Sequence, residues 1–97
     1  MSQRIYIALP SGYMRETAYA AEDAITLLGY EPANPADNNG DDRANLRMLT
    51  QCDGVLLAPN WETNPMSALA TTVAQHLNIP VGTYDHWATR PATGGQR

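Results

Sequence analysis

Ten carboxylates, two histidines, one cysteine and six arginines are the groups in this 97-residue chain able to carry charge or enter a reaction. Their spacing decides which chemistry is open to them. His76 and His86 stand ten residues apart, and no Cys or carboxylate is placed with them as a metal set, so no metal site is expected. Asp53 precedes an apolar run. A phosphoacceptor of the receiver type would instead follow its strand, where Ala58-Pro59 stands, and would need acidic partners where Leu9-Pro10 stands. Asp53 is therefore expected in a turn or helix-end contact. Asp41-Asp42 and Glu22-Asp23 fall at helix starts or on exposed faces, where solvation accounts for them. Ser11-Gly12 can either present backbone N–H groups to a phosphate at a helix start or form an ordinary turn. The chain has no G-x-G-x-x-G and no P-loop lysine, which argues against nucleotide cofactors of those types. Trp61 stands in a loop, as a lid, a base-stacking platform, an oligomer contact or an aromatic plug over the core.

These groups must be held by a small set of elements. Residues 4–9 are apolar, β-branched and aromatic, and Pro10 ends them: a buried strand. Met14, Ala18, Ala21, Ile25 and Leu28 recur at three- and four-residue spacing, the apolar face of a helix that Gly29 closes. Residues 30–33 read as a short strand, placed at an edge by Pro32. Residues 34–40 have loop chemistry. Asp41 or Asp42 caps a second helix over about 43–51, with Leu46 and Leu49 inward. Residues 54–58 form a continuous apolar run, as in a central parallel strand covered on both faces. Asn64-Pro65 is an N-cap followed by proline at N1, and Met66, Leu69, Val73 and Leu77 give the third helix its inward face. Residues 80–84 are the last strand, and the polar tail 88–97 is expected to be loose.

This β-α-β-α-β-α-β order, joined by right-handed crossovers, predicts an α/β fold. It is a four-stranded parallel sheet of order 2-1-3-4 with helices on both faces, one domain over residues 1–87. Ile5, Ile7, Ile25, Leu28, Val55, Leu56, Leu57, Leu69, Val73 and Leu77 are expected in its core. Ligands of such sheets bind outside the carboxyl ends of the strands at the switch point, here between the first and third strands. Segments 9–13, 58–66 and 34–42 should line that crevice.

Composition narrows the partners. A net charge of -4, with six scattered arginines, supplies no basic face for nucleic acid. No apolar stretch approaches the ~20 residues that cross a bilayer, so no membrane partner is expected. Met1-Ser2-Gln3-Arg4 runs straight into a strand, which predicts no signal peptide. The lone Cys52 fits a reducing interior and a cytoplasmic protein.

Several short motifs occur in a telling order. They are Ile5-Tyr6-Ile7-Ala8-x-Pro10, Asn34-Pro35, and Leu49-x-x-Cys52-Asp53-x-Val55. Trp61-Glu62 follows eight residues after Asp53, then Leu77-x-x-Pro80-Val81 and Asp85-x-Trp87. Over residues 4–87 the chain resembles the small nucleoside 2-deoxyribosyltransferase-like proteins, many of them phage- or prophage-encoded. The resemblance implies a flavodoxin-like three-layer fold. It also implies cleavage of an N-glycosidic bond, in which a glutamate on the third helix attacks the anomeric carbon and an aspartate on the second assists at the base. Registered on Trp61 and Pro80-Val81, the nucleophile's position holds Ala70; registered on Cys52-Asp53, the assisting position holds Asn45. Met66-Ser67 replaces the usual Gly-Ala, and Leu9 the usual glycine after the first strand. No carboxylate occurs between Met66 and Leu77.

The expected function is therefore nucleoside or nucleotide binding without transfer, with no catalytic residue and no cofactor. The expected ligand-binding residues are Tyr6, Pro10, Ser11, Gly12, Asn45, Asn60, Trp61, Glu62 and Ser67. One alternative is an N-glycoside hydrolase or transferase with an altered acid, Glu62 or Asp53. Another is a small homo-oligomeric phage interaction protein without ligand. The family commonly forms dimers in which one subunit helps close its neighbour's site. Met48, Met66, Trp61 and the Tyr13-Met14 corner suit a homodimer packed through the second and third helices, unless the two helical methionines simply fill the core.

Overall fold

Alternation along the first strand divides the core in two. In the computed structural model, which describes residues 3–89, that strand is β1 (Arg4–Ala8). Successive side chains of a strand point to opposite faces. Ile5, Ile7 and Leu9 pack on one side with Ala18, Ile25, Tyr30, Leu56 and Trp87. Tyr6 and Ala8 pack on the other with Ala33, Leu49, Cys52, Val55, Ala70 and Ala74. The first layer is built by α1 (Arg15–Leu27) and α4 (Tyr84–Ala88), the second by α2 (Asp42–Thr50) and α3 (Pro65–His76). Between them lie β1, β2 (Glu31–Ala33), β3 (Gly54–Leu57) and β4 (Val81–Thr83). All pairings are parallel and the order is β2-β1-β3-β4, the flavodoxin-like order expected from the sequence.

Local chemistry sets the helix ends. Asp41 caps α2, its carboxylate accepting from the Ala44 N–H at 3.1 Å. Asn64 caps α3, its Oδ1 accepting from the Met66 N–H at 3.0 Å, with Pro65 in the first helical position. Gly29, with φ at +92°, follows the α1 C-cap residue Leu28 as a C′ glycine. No described helix is long and apolar enough to cross a membrane.

Three expectations are corrected. The first is the face of α3. Its buried residues are Ser67, Ala70, Thr71 and Ala74, about a quarter turn from the expected stripe. Leu69 and Leu77 are 46% and 51% exposed, and Val73 is half-buried. Hydrogen bonds set this rotation. The Leu9 carbonyl, at the end of β1, accepts from Ser67 Oγ at 2.6 Å and Asn64 Nδ2 at 3.2 Å. A buried carbonyl needs a partner, and small side chains let the helix approach closely enough to supply it.

The second correction is at the start of α1, where Met14 is 68% exposed and serves as the N-cap rather than a core residue. Leu28 and Leu57 are only half-buried. The third is at the C-terminal end. The expected tail begins inside α4, since Ala88 closes that helix and Thr89 caps it; the rest of the tail, 90–97, lies outside the described residues. Trp87 of α4, absent from the expected core, is buried to 1% exposure. Its indole N–H donates to the Val55 carbonyl at 2.9 Å, and Tyr30 meets it edge-on with ring centroids 5.5 Å apart. Gly54 makes this seat possible: any Cβ there would collide with the Trp87 ring.

Candidate ligand site

The crevice opens where β1 ends and the chain leaves for α1. A cavity of about 140 Å³ is bounded by Tyr6, Leu9 and Tyr13, by Pro35 and Gly40 of the β2–α2 loop, by Asp42 and Asn45 of α2, and by Asn64, Met66 and Ser67. A second cavity, of about 560 Å³, adjoins it through the shared residues Tyr13 and Gly40. Arg15 and Tyr19 on α1 and Asp37 and Asn39 on the loop line this outer chamber. Together they form a groove with a small inner end and a larger, more polar mouth.

Side-chain amides hold the groove's walls. Asn34 is 2% exposed; its Nδ2 donates to the Ala18 carbonyl at 3.3 Å and its Oδ1 accepts from the Ala36 N–H at 3.0 Å. This ties the β2–α2 loop to α1. Asn45 Oδ1 accepts from Asn38 Nδ2 at 2.7 Å, which leaves the donor capacity of Asn45 with its own Nδ2. Arg15 makes no ion pair with any described residue.

Burial pushes the Tyr6 phenol well above the ordinary tyrosine range, helped by Cys52, Asp42 and Tyr13, so it stays a neutral donor at the inner end. The Cys52 thiol is pushed up to about 11, first by burial, with Asp53 and Glu31 adding and Arg4 opposing. Its Sγ donates to the Met48 carbonyl at 3.3 Å. A protonated, buried thiol of this kind is no nucleophile.

The expected ligand residues divide into three groups. Tyr6, Asn45 and Ser67 converge on the inner cavity. Asn60, Trp61 and Glu62 do not reach it: they line a separate cavity of about 330 Å³ at the carboxyl ends of β3 and β4. Pro10, Ser11 and Gly12 border neither chamber of the groove. The Ser11 N–H is already bound to Thr63 Oγ1 at 3.0 Å, and Gly12 has a φ of +66°, so this segment is a turn. Arg15 and Tyr19 of α1 were not anticipated as lining residues, whereas Asp42 and Met66 lie in the segments 34–42 and 58–66 expected there. Segment 34–42 was expected at the crevice, and it supplies the outer wall.

The candidate acids are placed as follows. Asp53 lies at the amino end of β3, where its carboxylate accepts from the Arg4 N–H at 2.9 Å and its own N–H donates to the Arg4 carbonyl at 2.7 Å. That is the structural contact expected of it, at the end of the sheet away from the groove. Ala70 is fully buried beside Tyr6 in the α2–α3 layer and does not border the inner cavity. Asp42, exposed at the start of α2, is the carboxylate that lines the inner cavity. His76 is exposed on α3, and His86 packs edge-on against Trp87 with ring centroids 4.9 Å apart. No cluster of three metal-ligating side chains occurs among the described residues.

Comparison with protein-family models, with curated proteins and with solved structures finds no match to this chain.

Proposed function

We propose that this chain binds a nucleoside or nucleotide in the groove at the β1–β3 switch point and does not turn it over. The observation that carries the reading is the groove itself. Tyr6, Asn45 and Ser67 offer hydrogen-bonding groups at its inner end, and Arg15, which has no ion-pair partner among the described residues, stands in its mouth. The inner chamber of about 140 Å³ is too small by itself, but taken with the outer one of about 560 Å³ it falls in the ~300–1,000 Å³ range typical of small-molecule sites. An amide and a phenol read base or sugar edges; a free guanidinium favours a phosphate at the outer end. The likeness to the nucleoside 2-deoxyribosyltransferase-like proteins supports the same ligand class. Ala70 and Asn45 at the two positions where that chemistry needs carboxylates argue against transfer.

Calorimetric titration with 2′-deoxynucleosides and their 5′-monophosphates tests the binding. Saturable binding is expected, with the monophosphates losing about tenfold, ~1.4 kcal/mol, in Arg15→Gln. Arg15 is exposed, so that variant should fold normally. Incubation with a deoxynucleoside and an acceptor base, followed by chromatography, should release no free base at the ~1–1,000 s⁻¹ of ordinary enzymes. Turnover abolished by Glu62→Gln would restore the glycosidase alternative.

A homodimer packed through α3 belongs to the same proposal. Leu69 on α3 and Leu77, its C-cap, are exposed, and the helix contains no Asp, Glu, Lys or Arg. Two copies of a chain with net charge -4 repel through most of their surfaces. The α3 face, free of Asp, Glu, Lys and Arg, lets a second copy bury apolar area with little charge repulsion. Met48 and Met66 are half-buried and pack on the core, so they play the packing role. Sedimentation should give a dimer that Leu69→Glu/Leu77→Glu converts to the 10.6 kDa monomer. A wild-type monomer at every concentration contradicts the dimer.

A further inference from the structure

The cavity of about 330 Å³ at the carboxyl ends of β3 and β4 lies outside the groove and has a chemistry of its own. Two aromatic residues, Trp61 and Tyr84, and two acidic ones, Glu62 and Asp85, line it together with the apolar Leu57 and Ala58. Among the described residues no Lys, Arg or His lines it, so its lining carries acidic residues and no cation. Neither forms an ion pair with a described residue.

We propose that this cavity is a second binding site, for a small organic cation with an alkylated ammonium or guanidinium head. Each part of the wall favours that class. Aromatic faces attract cations through the ring quadrupole, Trp most strongly, and this attraction grows where water is displaced by apolar surface. Two carboxylates nearby raise the local cation concentration and disfavour anions. A bare metal ion fits poorly, because the described residues offer no set of three metal ligands. The volume lies at the small end of the range for ligand sites, which suits a compact head on a short stem. Trp61 and Tyr84 come from different connections, the turn after β3 and the first residue of α4. The site therefore exists only when β4 and α4 are in place beside the β3–α3 turn.

The test uses choline and agmatine as probes, with 3,3-dimethyl-1-butanol as the uncharged isostere of choline. Binding is followed by tryptophan fluorescence and by calorimetry on the whole chain. At least one cation should bind saturably, and about tenfold more tightly than the neutral isostere, ~1.4 kcal/mol. Glu62→Gln/Asp85→Asn, which changes two exposed side chains, should remove that preference while leaving the thermal midpoint unchanged. Trp61→Leu should weaken whichever charged probe binds. A neutral isostere that binds as well as choline, no saturable binding of either cation, or an unaltered preference in the double variant overturns the proposal. Nucleotide titrations report on the other cavity, so either site can fail without the other.

Discussion

Tyr6, which lines the groove, and Cys52, in the same core layer, act on stability in the same direction. Each holds its proton more tightly folded than unfolded, because burial disfavours the charged form. The folded chain then binds more protons, and stability falls as pH rises. For Cys52 the contribution is whole below its ordinary value of 9.0 and is lost as pH climbs to about 11. Tyr6 adds its own loss only above its ordinary value of 10.0. Urea midpoints should therefore drop between pH 9 and 10 in the wild type, and that part of the slope should vanish in Cys52→Ala. An identical slope in the variant would place the titration elsewhere. At the end of β1, Ser67→Ala leaves the Leu9 carbonyl one partner, Asn64, and should cost ~1 kcal/mol. Asn64→Ala removes that partner and the α3 cap together and should cost about 1–2 kcal/mol more. Denaturant midpoints giving the reverse order would contradict the capping account.

Among the elements, α4 is five residues long but fixes one face of the sheet through a single side chain. Trp87→Ala should cost ~3–5 kcal/mol, as large buried aromatics do. In a small domain that is a large share of a total near 5–15 kcal/mol. Gly54→Ala should cost a comparable amount, because its Cβ would occupy the place of the indole ring. A midpoint shift under 1 kcal/mol in both variants, estimated against that scale, would mean the seat is not structural. Neither contact was legible in the sequence. The Val55–Leu57 run and the caps at Asp41 and Asn64 announce their elements by composition alone. A tryptophan in a short polar segment gives no period to read. The α3 helix shows a different limit. Hydrophobic periodicity weighs Leu69 and Leu77 above Ala70 and Ala74, but the helix turns its small side to the sheet so that Ser67 and Asn64 can reach Leu9.

On the scale of the whole molecule, the strand order was legible because helix-length connections and right-handed crossovers leave few alternatives. That order places the switch point, and the inner cavity opens beside it, between the end of β1 and the starts of α2 and α3, while the outer chamber extends toward α1 and the β2–α2 loop. The partition of the ligand residues was not legible. Adjacent positions after β3 look equivalent in the chain, yet the turn Trp61–Thr63 carries Asn60, Trp61 and Glu62 toward β4, while Asn64, Met66 and Ser67 face β1. Two chemically distinct cavities result at one end of a four-stranded sheet.

Whether the groove between β1 and α2 holds a nucleoside or nucleotide is read from amide chemical shifts of 15N-labelled protein titrated with a 2′-deoxynucleoside 5′-monophosphate. Saturable shifts are expected, centred on Tyr13, Arg15, Gly40, Asn45 and Ser67, with Trp61, Tyr84 and Asp85 unmoved. No shifts at all, or shifts centred on Trp61 and Tyr84, would contradict that binding.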